Sequence, residues 1–331
     1  MPSSRTSDEH RTGASRRPWA TAIAWAVTVP LLLWAMVRIG GLERGWPLVQ
    51  VVAYTPYALL LSLLGLLLVV LLRRWAAAFF LAIAAVGFAL AVVPRELGTA
   101  RALAGGHPVR ILAANLARGG ADAGQVLDLA RSRDADLVVL TELDPGFAAE
   151  LDRLGIATLY PERVIAESRP DAIGTGIWSR WPLTPNGRLD TRPNQPRAIV
   201  EVPASLPIEL VAVHPTAPAG PRSTREWERD FDRLPAAGSA DLPLVLAGDF
   251  NATIDHANLR DLIETGYRDA GESAGRGLVS TWPSRLKWPL PVTIDHVLAE
   301  RGIAVADYDV EKIEGSDHRA VYAELTLPPV P

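Results

Sequence analysis

Three long apolar runs crowd the first hundred residues of this 331-residue chain. They are "WATAIAWAVTVPLLLWAMV" at 19–37, "LVQVVAYTPYALLLSLLGLLLVVLL" at 48–72 and "WAAAFFLAIAAVGFALAVV" at 75–93. A helix needs about 20 apolar residues to cross a hydrocarbon layer about 30 Å thick, so each run is expected to be a transmembrane helix. Pro30 and Pro56 fall inside runs, which bilayer helices tolerate when neighbours satisfy the freed backbone groups. A cleavable signal peptide behind Arg16 and Arg17 is the alternative for the first run. No small-x-small cleavage site precedes Arg38, however, and two further runs follow at once. Flanking arginines orient the set. Arg5, Arg11, Arg16 and Arg17 precede the first run, and Arg73 and Arg74 separate the second from the third. Only Arg38 and Arg44 lie in the first loop, while Arg95 and Arg101, beyond the third run, oppose the bias. The expectation is a cytoplasmic tail over 1–18, a three-helix transmembrane region over 19–93, and an extracytoplasmic remainder, in a multi-pass protein of the cell membrane. Trp19, Trp34, Trp46 and Trp75 stand near the run ends, as interfacial anchors do.

Charge divides the chain at the same place. Residues 1–106 carry 10 basic and 4 acidic residues, a net of +6, whereas residues 107–331 carry 23 basic and 33 acidic, a net of −10. The first part suits an anionic membrane surface, and the second argues against tight non-specific binding to duplex nucleic acid. The chain has no cysteine, which excludes disulfides, thiolate nucleophiles and cysteine-ligated metal sites. "PRELGTARALAGGHP", 94–108, reads as a linker rich in glycine and proline, with a soluble domain from 109 to 327.

In that domain short runs rich in Val, Leu and Ile each end in a polar residue, the pattern of buried strands. "VRILAANLARGG" delivers Asn115, "ADLVVLTELDP" Glu142, "ELVAVHPTAP" His214, and "LPLVLAGDFN" Asp249 and Asn251. "VTIDHVLAE" carries Asp295, and "EGSDHRAVYAELTL" carries Asp317 and His318 before alternating like an edge strand. Helices are expected between them. One follows Ser223, a candidate N-cap with Glu226 three residues on, and carries a Trp227, Phe231, Leu234 stripe suited to core packing. The mixture implies an α/β layered domain of mixed sheets covered by helices.

The polar strand ends carry the chemistry. Side chains two apart on a strand share a face, so Asp249 and Asn251 can address one site while Phe250 packs behind. Gly248 would let the chain turn and a ligand approach. A carboxylate there can take a proton from water or bind a cation, and an amide can hold that water or a phosphoryl oxygen. Hard divalent cations take oxygen ligands, and Mg²⁺ uses one or two carboxylates while keeping waters, which makes Glu142 the natural first ligand. Of the adjacent pair Asp295 and His296 within a strand only one can face the site, and Asp295 is the choice; His296 reads as structural.

In order, Asn115, Glu142, His214, "GDFN", "IDH" and "GSDH" resemble the endonuclease/exonuclease/phosphatase (DNase I-like) superfamily over about residues 109–327. "GTGIWSRWPL" is similar to that superfamily's segment before the histidine strand, and "STWP…PVTIDHVL" to its membrane-tethered bacterial branch. The resemblance implies a four-layer sandwich of two packed mixed β-sheets flanked by helices, here behind three transmembrane helices. It also implies Mg²⁺- or Mn²⁺-dependent hydrolysis of phosphodiester or phosphomonoester bonds, as in a nuclease, phosphodiesterase or phosphatase. Carried over, Glu142 with Asn115 would hold the metal and Asp317 would be a further metal-site acid. Asp249, with Asn251 beside it, would orient or deprotonate the attacking water. His318 would contact the scissile phosphate with Asp295 as its carboxylate partner, and His214 would help the leaving group depart. The segment "ARGGADAG" offers only Arg118 and Asp122 where members have a second asparagine or acid, and Arg319-Ala320 stands where a proline is common; these departures touch substrate contacts.

Read singly, His256 is a surface or helix-start residue, and Arg118, Arg180 and Arg197 are solvated arginines able to reach phosphate. Two functions follow. One is a membrane-anchored, metal-dependent phosphoesterase acting on lipid head groups, small phosphodiesters or nucleic acid. The other is a catalytically silent tethered scaffold, which the intact set of polar residues disfavours. No obligate protein partner is indicated beyond the bilayer.

Overall fold

A computed structural model describes residues 18–166, 173–286 and 289–329. The tail expected at 1–18 lies outside the described residues apart from Pro18, which opens α1 (Pro18–Ile39). Three more helices follow: α2 (Leu48–Val52), α3 (Thr55–Leu71) and α4 (Trp75–Val92), the last continued by a 3-10 turn at Val93–Glu96. Two helical stretches, Pro18–Ile39 and Trp75–Glu96, are long and apolar enough to cross a membrane. The second expected span is not a single helix. Residues 48–72 break at Ala53 and Tyr54 into α2 and the 17-residue α3. Pro56 accounts for the break: it sits in the first turn of α3, where no N–H is needed, and an unbroken helix would drive its ring against the Val52 carbonyl. Small residues let α1, α3 and α4 approach closely, Ala24, Ala58, Ala77 and Ala84 all being buried between them. Trp34, expected as an anchor, turns inward and donates to Thr55 Oγ1 at 3.4 Å.

The remainder is built on two six-stranded sheets. The first, in the spatial order β11-β12-β1-β2-β4-β3, comprises β1 (His107–Asn115), β2 (Leu137–Leu143), β3 (Glu162–Ala166), β4 (Gly174–Ser179), β11 (Ala304–Lys312) and β12 (Arg319–Leu327). The second, in the order β5-β6-β7-β8-β10-β9, comprises β5 (Leu183–Leu189), β6 (Gln195–Val200), β7 (Ile208–Val213), β8 (Leu244–Asp249), β9 (Tyr267–Asp269) and β10 (Asp295–Glu300). Among the described residues only β1–β2 and β7–β8 pair in parallel, so both sheets are mixed. β12 is an inner strand, not the edge strand its alternation suggests, because β11 pairs along it.

Strand alternation builds three apolar layers. Ile111 and Ala113, with Ala323 beside them on β12, face Ala212, Ala247 and Val297 between the sheets. Leu112 and Ala114 point the other way, under α5 (Ala123–Ser132), α6 (Pro145–Arg153) and the short α7 (Ile156–Leu159). Behind the second sheet, Val211, Leu246 and Phe250 pack under α8 (Pro221–Phe231) and α9 (Ala257–Glu264), while α10 (Ala270–Ser273) follows β9. The result is the expected four-layer sandwich. Each fully buried aliphatic side chain contributes about 1.5–3 kcal/mol relative to exposure. α8 begins one turn earlier than expected: Gly220 is its N-cap, its N–H donating to Ser223 Oγ at 2.9 Å, and Glu226 pairs with Arg222 instead.

The helical region is docked on this sandwich. Val49 of α2 is buried in the same apolar layer as Trp227 and Phe250. Asp255, fully buried, accepts from Arg38 Nε at 2.7 Å and from Arg95 Nη1 and Nη2 at 2.8 and 2.6 Å. The arginines expected as exposed flanks at 38 and 95 are therefore internal ion-pair partners. His256 is buried as well, contrary to its surface reading, and donates from Nε2 to the Val49 carbonyl at 2.9 Å. Residues 94–108 also lie against the sandwich: the Thr99 N–H donates to Ser273 O at 2.6 Å and the Arg101 N–H to Val305 O at 2.8 Å.

Candidate active site

The parallel pairs β1–β2 and β7–β8 bring four strand ends to one rim of the sandwich. Asn115 ends β1, Glu142 stands near the end of β2, His214 follows β7, and Asp249 ends β8. Antiparallel β10 and β12 start from that rim, so Asp295 lies directly across from Asp249, and Asp317 and His318 immediately precede β12.

Asn115 Nδ2 donates to Asp249 Oδ2 at 2.9 Å, joining the two sheets at the site. His318 Nδ1 donates to Asp295 Oδ2 at 3.0 Å, and its Nε2 lies 3.8 Å from Asp249 Oδ2. His214 Nε2 is 3.9 Å from both Glu142 Oε1 and Asp249 Oδ2, and its buried Nδ1 has no hydrogen-bond partner. Glu142 is the open acid of the set: its side chain is 24% exposed and its carboxylate accepts no hydrogen bond among the described residues. Asn251 donates from Nδ2 to Pro215 O at 3.1 Å. Asp317 is exposed on the rim and accepts from Trp282 Nε1 at 3.1 Å.

Three neighbours missing from the expected set hold these groups. Ser316 Oγ donates to Asn115 O at 2.8 Å and accepts from the His318 N–H at 3.0 Å. Thr281 Oγ1 accepts from the Asp295 N–H at 3.1 Å, and Gln195 Oε1 from the His214 N–H at 3.0 Å. Ser316 and Thr281 sit inside "GSDH" and "STWP", so the motifs contained them; nothing marks Gln195.

Burial and mutual charge divide the titrating groups. Burial pushes the Asp249 carboxyl up, and the neighbouring Asp295 charge adds to the rise. Burial opposes protonation of His318, but Asp295 and Asp249 overcome it and raise the imidazole to about 10. His214 is instead lowered to about 4 by burial and by the cationic His318, so it is neutral at ordinary pH. Two carboxylates thus share one imidazolium, leaving net negative charge in a buried place.

The local geometry at this rim departs from the strand alternation expected there. β8 stops at Asp249, and Asn251 adopts a left-handed φ of 49°, its N–H closing on Asp249 Oδ1 at 2.7 Å. A turn, not strand alternation, aims Asn251, while Phe250 is buried as expected. Gly248, with φ 140°, makes room for backbone and not for a ligand: a Cβ there would stand 2.2 Å from the Val213 carbonyl oxygen. Glu142 also has a positive φ, 53°, at a register shift between β2 and β4. Non-glycine residues rarely take that conformation, and it is concentrated at functional sites. His296 is structural, donating to Asp269 Oδ2 at 2.8 Å and to Ala252 O at 2.9 Å. Arg180 and Arg197 are tied to Asp136 and Glu209, whereas Arg118 lines the cleft.

That cleft has a volume of about 1310 Å³, and Glu142, His214, Asp249, Asn251, Asp317 and His318 line it. Asp249, Asp295 and His318 offer ligand atoms within 4.8 Å of one another. His318, held as an imidazolium by Asp295, has no lone pair to give a metal. The fit lies in the unpartnered Glu142 carboxylate beside this negative cluster: one open acid with few protein ligands suits a hard, partly hydrated cation.

The sequence profile of the Endonuclease/Exonuclease/phosphatase family matches residues 112–318. The chain belongs to this family. Phosphoesterase chemistry is the activity of its members, which generally use a divalent metal. Among solved structures, an endonuclease/exonuclease/phosphatase from Beutenbergia cavernae is 20% identical over 66% of this chain and 72% of its own, with a TM-score of 0.52. D. rerio TDP2, complexed with single-strand DNA product, is 18% identical over 66% of this chain and 98% of its own, with a TM-score of 0.51. Both show the same fold. No curated protein matches the chain. The family match begins within β1 and ends at His318, so α1 to α4 lie wholly outside it.

Proposed function

We propose that this endonuclease/exonuclease/phosphatase family protein is a membrane-anchored, divalent-metal-dependent phosphoesterase that cleaves phosphodiester or phosphomonoester bonds by attack of water. The observation that carries the reading is the meeting of Asn115, Glu142, His214, Asp249, Asn251, Asp295 and His318 from two sheets at one cleft. The membrane part rests on exposure. Leu60, Leu64, Leu67, Leu71, Phe79 and Leu90 are each more than half exposed on the helical region, and grouped exposed apolar side chains mark membrane or partner surfaces. Within the two long helices the spanning windows are only 28% and 39% buried, unlike core helices. Residues 19–93 would then form the anchor and 109–327 the catalytic unit, on the extracytoplasmic side.

The metal, Mg²⁺ or Mn²⁺, would be held by Glu142 with Asn115 and Asp317 nearby; bound there, it polarises the phosphoryl group and offsets charge developing in the transition state. Asp249, its carboxyl raised toward neutrality, accepts the proton of the attacking water, and Asn251 steadies that water. The water oxygen bonds to phosphorus as the ester P–O bond breaks. His318, kept cationic by Asp295, donates a hydrogen bond to a phosphoryl oxygen. His214, neutral, hydrogen-bonds the departing oxygen, which leaves as the alcohol after protonation from solvent. Each pre-oriented donor of this type is worth about 10²–10³ in rate.

The test uses the full-length protein in detergent with bis-p-nitrophenyl phosphate. Chelation should reduce hydrolysis to background and added Mg²⁺ or Mn²⁺ should restore it. Undiminished turnover after chelation refutes the metal-dependent reading.

A further inference from the structure

The cleft has a wall that the family does not supply. Val49 and Gln50 of α2, with Ala53 and Tyr54 from the break before α3, line it together with the catalytic residues. We propose that this wall is part of the substrate site, and that it selects a phosphoester presented at the surface of a bilayer over one free in solution or carried on a nucleic acid. The inference rests on the phosphoesterase reading above and names its substrate class.

Three observations support it. The wall is held rigidly. Gln50 Nε2 donates to the Pro218 carbonyl and to Thr224 Oγ1, joining α2 to the Pro215–Ala219 segment on the cleft's border. Gln50 Oε1 is buried without a partner, an acceptor left over beside the cleft. Tyr57, one turn on, fixes the start of α3 by donating to Pro291 O at 2.7 Å.

The wall also stands at a defined depth. α3 runs from Tyr54 straight into exposed leucines, of which Leu60 is six residues on. At 1.5 Å per residue that is about 9 Å along the axis. A bilayer's polar layer on each side is about 5–8 Å thick. With α3 seated in hydrocarbon, Tyr54 and the cleft beside it sit at the head groups. The outer face of α2 agrees: Val49 and Val52 are buried toward the protein, while Leu48 and Val51, and Trp46 just before the helix, are exposed, as on an interfacial amphipathic segment.

The charge of the cleft fits a single head group. Arg118, Arg188 and Arg192 line it, are exposed, and form no ion pair among the described residues. Beside the acids Glu142, Asp190, Asp249 and Asp317 of the same lining, each of these arginines can meet the phosphate of a lipid head group. A long polyanion would instead face a domain carrying a net −10. Hydrolysis consumes one water, breaks one P–O bond of the lipid phosphodiester, and yields one alcohol and one phosphomonoester.

The full-length chain is reconstituted in phosphatidylcholine vesicles containing phosphatidylglycerol, phosphatidylinositol and sphingomyelin. Its kcat/KM on these lipids is compared with that on bis-p-nitrophenyl phosphate and on oligothymidylate. At least one lipid should be cleaved about ten-fold or more faster than either soluble substrate, and Tyr54→Ala should lower the ratio of lipid to bis-p-nitrophenyl phosphate cleavage about ten-fold, with Tyr54→Phe retaining it. Cleavage of bis-p-nitrophenyl phosphate or oligothymidylate with none of the lipids attacked overturns the inference and leaves the phosphoesterase reading standing. So does a ratio unmoved by Tyr54→Ala. Loss of hydrolysis on every substrate condemns the parent reading, and this one with it.

Discussion

Asp249, the last residue of β8, and Asp255 stand six residues apart, both sunk in the protein at 2% and 0% exposure, yet in different company. Asp249 shares a single imidazolium with a second carboxylate, Asp295. Asp255 is a single carboxylate between two guanidinium groups, Arg38 and Arg95. The first cluster has too much negative charge; in the second, two guanidinium groups close on Asp255, with Glu272 3.7 Å from Arg95. Burial and Asp295 push the Asp249 carboxyl up. Burial works the same way on Asp255, but Arg95 and then Arg38 prevail and hold it below the ordinary range. The imbalance at Asp249 opens onto a cleft where a cation and a substrate can correct it. The Asp255 cluster is sunk in the protein and serves cohesion between the helical region and the sandwich.

The largest effect expected from breaking this contrast is on stability. Asp255→Ala removes the shared partner of two buried arginines, leaving Arg95 only Glu272 at 3.7 Å, and losing one partner of a buried pair costs about 3–5 kcal/mol, readable as a lowered denaturation midpoint in detergent. Asp249→Asn should behave oppositely. It relieves one of two crowded carboxylates, so the midpoint should hold, while turnover of bis-p-nitrophenyl phosphate falls about 10²–10³-fold. If the two variants exchange phenotypes, the division between a working and a cohesive cluster is wrong. A smaller, graded effect should come with acid. Because the folded state depresses Asp255 below its ordinary 3.8, its contribution is present above that value and is lost as pH falls through the depressed one. Denaturation followed against pH should show this loss in the wild type below about pH 4 and not in Asp255→Ala.

What could be read from the chain beforehand follows the same division. Asp249, Asp295 and His318 were readable because each ends or begins an apolar strand, and a strand end must face a rim. The two sheets were readable from the same runs. The left-handed turns at Glu142 and Asn251 were not, since neither residue type announces a positive φ. Nor were the roles of Arg38, Arg95 and His256, whose partners lie 217, 160 and 207 residues away. Local pattern carries no information about pairings at that distance, so these arginines looked like membrane flanks and the histidine like surface. The break at Pro56 was foreseeable from the proline but was outweighed by the length of the apolar run around it.

The Arg38–Asp255–Arg95 cluster also imposes an order of events during synthesis. Arg95 leaves the ribosome 160 residues before the aspartate it needs, and Arg38 217 residues before. At about 5–20 residues per second, Arg95 waits about 8–30 s without its counter-charge, in a helical region already emerging. Closure of that cluster is thus a late step of maturation, and a ribosome stalled midway leaves two arginines at an unsealed junction for quality-control factors to find.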